Sequence, residues 1–95
     1  SFPTRRSSDL AYKVARKIYE ISLVSQVIVI THLPQLASLS KQHIKISKYE
    51  KNKRTYTNIK ELNLEERIYE VASLISDGKV SKAQLEYASE MITNK

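Results

Sequence analysis

The chain has 95 residues, 41% of them apolar, and 16 Lys and Arg against 10 Asp and Glu give a formal charge of +6. That length bounds it to one small domain or a piece of a larger one, and the charge points weakly to an acidic partner. The absence of cysteine excludes a disulfide scaffold and thiolate chemistry, no apolar run reaches the roughly 18 residues of a bilayer span, and no signal-peptide core is present, so a soluble cytoplasmic protein is expected.

Ser1 to Leu10 has no apolar period and reads as a loop or tail. The same ten residues match the in-frame translation of a sequencing-library adapter, so residues 1–10 are expected to be an adapter-derived or disordered leader and residues 11–95 the structured part. From Ala11 to about Ser22, Val14, Ile18 and Ile21 fall at helical spacing, with Lys13, Arg16, Lys17 and Glu20 facing away. Val27-Ile28-Val29-Ile30 then reads as a strand apolar on both faces, of the kind found in the middle of a sheet. Thr31 and His32 end it, and Pro34 presets the first turn of a short helix to about Ser40. A helix feeding a doubly buried strand is the second half of a βαβ unit, so the sheet in this chain is expected to be incomplete.

Alternation over His43 to Glu50 and again over Arg54 to Leu62 predicts a β-hairpin. Asn63 with Glu66 makes a capping-box start, and Leu64, Ile68, Val71 and Ile75 mark the buried stripe of a helix ending near Asp77 and Gly78. Ser81 with Gln84 repeats the cap for a last helix buried through Leu85, Ala88 and Ile92. The fold class is therefore α/β: helix, central strand, short helix, hairpin and two C-terminal helices.

Gly78 is the single glycine, whereas a phosphate-cradling loop needs several to let backbone N–H groups approach an anion. Most of any nucleotide site therefore lies outside these residues. His32 and His43 are the only imidazoles and are not at a tight ligand spacing, so no metal site is expected. No serine has the glycine-flanked turn of a nucleophile.

Two candidates remain. His32 stands at the carboxyl end of the expected strand, where open α/β sheets bind ligands. It is read either as a phosphate contact or as a histidine that ends a strand and bonds its own loop. In the hairpin region, Lys41, Lys45, Lys48, Lys51, Lys53, Arg54 and Lys60 surround one carboxylate, Glu50, with Tyr49 and Tyr56 interleaved. Nucleic-acid contact through Lys48, Lys51, Lys53 and Arg54 is one reading. A solvated edge that uses lysine against edge-to-edge pairing is the other.

The helix over 11–22, the run into Thr31-His32-Leu33-Pro34-Gln35, the hairpin ending Lys60-Glu61-Leu62 and the helix beginning Leu64-Glu65-Glu66-Arg67 together resemble the C-terminal end of the RecN family of bacterial DNA repair proteins. The likeness spans nearly all of residues 11–95. It implies the terminal part of an ATP-binding-cassette head, related to chromosome-maintenance ATPases, in a protein acting at DNA double-strand breaks in repair and recombination. By that resemblance His32 is the switch histidine that reaches the γ-phosphate of ATP and helps position water. ATP and Mg2+ would be bound by the intact parent, which would pair head to head as a homodimer, act on DNA ends and associate with the nucleoid. The fragment alone would be inactive, because the phosphate loop, signature segment and acidic pair of the family do not occur in it. The family's glycine pair near Ile75 is replaced here by Ser76-Asp77-Gly78-Lys79, which leaves the role of the 76–80 turn open. A free-standing basic nucleic-acid-binding module that uses the 43–62 hairpin is the alternative.

Overall fold

The structure, a computed structural model, describes residues 5–76 and 79–94. Its elements run α1 (Arg5–Ser22), α2 (Pro34–Leu39), β1 (Ile44–Lys51), β2 (Arg54–Glu61), α3 (Leu64–Ile75) and α4 (Lys82–Thr93). This is the mixed α/β order expected from the sequence, with a two-stranded antiparallel sheet among the described residues. Of the expected leader, residues 5–10 are the first turns of α1 rather than a loop. Asp77 and Gly78, where the end of α3 and the altered turn were expected, lie outside the described residues.

Helices α3 and α4 start where their side chains say they should. Asn63 accepts the N–H of Glu66 at 2.9 Å, and Glu66 accepts the N–H of Asn63 at 2.9 Å. Ser81 and Gln84 make the same reciprocal pair at 3.2 and 2.8 Å. Each box satisfies N–H groups that the first helical turn leaves without partners. Between these fixed starts the two helices pack through Val71, Ala72, Ala88 and Ile92, joined by Ala37 of α2 and flanked by Ile68, Leu85 and Met91. Small residues at the contact let the backbones approach closely: Ala72 and Ala88 are fully buried. Helix α1 buries Ala15, while Val14 and Ile21 stay exposed, and its Tyr12 hydroxyl lies 3.2 Å from the Tyr87 hydroxyl of α4.

The hairpin closes through Asn52 and Lys53, both at positive φ (53° and 64°). A two-residue turn with both central residues left-handed matches the right-handed twist of the strands it joins. Pairing runs from Ile44 with Glu61 to Lys51 with Arg54. The hairpin is tied to α3 at its base, where Lys45 Nζ meets Glu70 Oε1 at 2.7 Å and Lys60 meets Glu66.

The expected central strand is the main departure. Val27 to Ile30 occupies its place between α1 and α2, but it joins no ladder among the described residues. Its side chains are exposed rather than doubly buried, Ile28 at 84% and Ile30 at 95%. The physical reason is that a strand is buried only by neighbours, and among the described residues β1 and β2 pair only with each other. The radius of gyration, 14.8 Å, exceeds the roughly 13 Å of a closed domain of about 100 residues, as an open arrangement of this kind requires.

Candidate functional site

The histidine segment is built from backbone pinned on both sides of one free side chain. Thr31 Oγ1 accepts the N–H of Leu33 at 3.0 Å. Leu33 is extended, and its carbonyl accepts the N–H groups of Leu36 and Ala37, so it starts α2 without a side-chain cap. Pro34 follows at the first helical position, where no N–H is needed. His32 sits between Thr31 and Leu33 with its imidazole exposed.

The other end of α2 is held by a group the sequence reading passed over. Arg67 of α3 is 8% exposed, and its Nη2 donates to the carbonyls of Ala37 (3.3 Å) and Ser40 (2.9 Å) and to Ser40 Oγ (3.3 Å). These acceptors lie at and just beyond the carboxyl end of the helix, where free carbonyls and the negative end of the helix dipole favour a cation. Burial pushes the guanidinium below its ordinary value, yet arginine remains charged at any physiological pH. The available signal was position: Arg67 stands four residues before Val71, on the same helical stripe.

Gln35 Oε1, His43 Nδ1 and Arg67 Nε are buried without hydrogen-bond partners. The His43 imidazole is pushed below its ordinary range, first by burial and then by the Arg67 charge, with Glu70 opposing. His43 therefore belongs to the joint between α2, the hairpin and α3, whereas His32 is presented to solvent. No group of three or more His, Cys, Asp or Glu suited to a metal ion occurs among the described residues. A concavity of about 400 Å³ along α1 is lined by Tyr12, Lys13, Arg16, Lys17 and Glu20, none of them a residue expected to carry function.

Strand pairing separates Lys48, Lys51, Lys53 and Arg54, the four cations of the nucleic-acid reading. Successive residues of a strand point to opposite sides, and directly paired residues share a side. Lys51 and Arg54 are paired and share a side with the Tyr49 and Tyr56 pair, whose rings stack at 5.4 Å and 20°. Lys48, opposite Thr57, falls on the reverse side with Ile44, Ile46 and Ile59, and Lys53 is in the turn. Lys45 and Lys60 lie on the tyrosine side but are engaged by Glu70 and Glu66 of α3.

A histidine loop ahead of a clamped short helix, beside a two-stranded antiparallel sheet, gives the described residues a mixed α/β architecture. No family model matches it. The chain is 44% identical over 86 residues to the DNA repair protein RecN of Rickettsia conorii, 36% identical over 86 residues to RecN of Bacillus subtilis, and 35% identical over 82 residues to RecN of Deinococcus radiodurans. These matches cover 90%, 90% and 86% of this chain. The chain is thus a RecN-like sequence over most of its length, and it spans 14 to 16% of the relatives it matches. No helix among the described residues is long and apolar enough to cross a membrane.

Proposed function

We propose that this chain is part of the ATPase head of a RecN-like DNA repair and recombination protein, and that His32 is its switch histidine. The observation that carries the reading is the exposed imidazole of His32 on backbone pinned at Leu33 and at the start of α2, within a sequence 44% identical to a RecN. Phosphoryl transfer depends on positioning and charge stabilisation more than on covalent help, and an imidazole carried on held backbone would supply both at a terminal phosphate. ATP would be the nucleotide. Mg2+ would take its ligands from other parts of the parent, since the residues described here offer no carboxylate cluster. The parent would pair head to head and engage DNA ends.

The test is a chimera in which residues 11–95 replace the matching segment of Bacillus subtilis RecN. Turnover of ATP by the chimera should fall about 100-fold or more in His32→Ala, the size of losing one positioned transition-state contact. Equal turnover with and without the imidazole would reject the switch role. The 95-residue chain by itself should hydrolyse no ATP. A second reading, nucleic-acid binding through the hairpin, is favoured by one observation: four cations, two of them outside the ion pairs to α3, share a face with a stacked tyrosine pair.

A further inference from the structure

The two sides of the hairpin are chemically unlike. On one, the row Tyr49 and Tyr56 is followed toward the tip by the row Lys51 and Arg54, at a spacing of about 7 Å set by two residues of strand rise. Toward the base, Lys45 and Lys60 complete a face that carries four cations and no carboxylate of its own strands. The base cations are engaged by α3, through Glu70 and Glu66. Lys51 and Arg54 form no ion pair among the described residues. The tyrosine rings stay accessible, Tyr49 at 51% and Tyr56 at 39%. The reverse side presents Ile44, Ile46 and Ile59 with Lys48, Glu50 and Glu61, a mixed surface with no aromatic ring.

We infer that the tyrosine face of the hairpin binds single-stranded DNA, with bases stacking on Tyr49 and Tyr56 and phosphates meeting Lys51 and Arg54. The inference rests on the nucleic-acid reading of the hairpin and takes DNA over RNA from the repair reading. The two rings stack on each other at 5.4 Å, which leaves each an outer π-face that a base meets only if it is unstacked, as in a single strand; in a duplex the base faces are hidden. Cations within one row of the rings then reach the phosphates that flank the stacked base. A tyrosine pair that only staples the strands together has no use for free cations beside it, and lysines that only guard an edge have no use for rings.

Fluorescence anisotropy of labelled oligo-dT, the matching duplex and oligo-rU with the 95-residue chain tests this. The expected order is oligo-dT first, with duplex and oligo-rU weaker. Tyr49→Ala and Tyr56→Ala should each weaken oligo-dT binding by about tenfold or more, the usual effect of losing one stacking ring. Tyr49→Phe and Tyr56→Phe should retain it. Neutralising Lys51 and Arg54 together to Gln should lower the salt dependence by about 1.4 in log–log slope, while Lys48→Gln on the reverse side should leave it unchanged. Because alanine variants can lose the hairpin itself, photo-crosslinking of oligo-dT to the unsubstituted chain gives an independent readout, with adducts expected at Tyr49 and Tyr56. Equal or tighter duplex binding, a Lys48→Gln effect equal to that of the double variant, or adducts confined to other residues would each overturn the inference. No binding to any of the three probes would reject the nucleic-acid reading as well, and the ATP-turnover chimera is scored separately from both.

Discussion

Val27 to Ile30 and the contact between α3 and α4 are both apolar sequence, yet only the second is buried. Val71 is fully enclosed by residues three and four apart on its own helix and by α4, whereas Ile30 is 95% exposed. Hydrophobicity drives both toward burial in the same degree, at about 25 cal/mol per Å². What differs is the partner. A helix brings its own backbone bonds and needs only one apolar neighbour, which α4 supplies; a strand needs another strand for its hydrogen bonds before its faces can be covered.

The sharpest way to break this comparison is to place the same charge in both regions. Val71→Asp puts an unpaired carboxylate in the α3–α4 contact and should cost about 3 kcal/mol or more, seen as loss of the cooperative urea transition. Next in size, Arg67→Met should cost about 2 kcal/mol, because the carbonyls of Ala37 and Ser40 lose a charged donor. Slowed exchange at the α2 amides should disappear with it.

A smaller effect concerns pH. Burial and Arg67 hold His43 below its ordinary value near 6.5, so the folded chain takes up that proton less readily than the unfolded chain. Stability is full above about pH 6.5 and falls as the pH drops through the window below it. The slope in thermal midpoint over that window should vanish in His43→Phe. Glu66, also held low, chiefly by the Asn63 N–H, loses its contribution only at more acid pH, below the ordinary carboxylate range. The smallest effect is expected at the other pole of the comparison: Ile30→Asp should change stability by less than about 0.5 kcal/mol, and a loss comparable to that of Val71→Asp would show that the run is covered in solution.

The contrast also explains what the sequence disclosed. The capping boxes at Asn63 and Ser81 and the hairpin over 44–61 rest on hydrogen bonds between residues close in the chain, so their signals are local and legible. The buried stripe through Val71, Ala88 and Ile92 was legible from period alone. The state of Val27 to Ile30 was not, because its composition specifies what the strand would do with neighbours and says nothing of whether they are there. Arg67 was missed because a charged residue in a helix is ordinarily solvated, and only its place on the Val71 stripe argued otherwise. The turn that carries His32 is legible from Thr31 and Pro34, whereas its exposure depends on how the chain packs around it.

Helix α2 has six residues, well short of the roughly 12 to 15 at which an isolated helix becomes even marginal in water. It lasts because Pro34 presets its first turn and Arg67, reaching across from α3, occupies its far end. That dependence ties the His32 turn to the α3–α4 pair: a change that unseats the guanidinium removes what holds the far end of the short helix into which the turn leads.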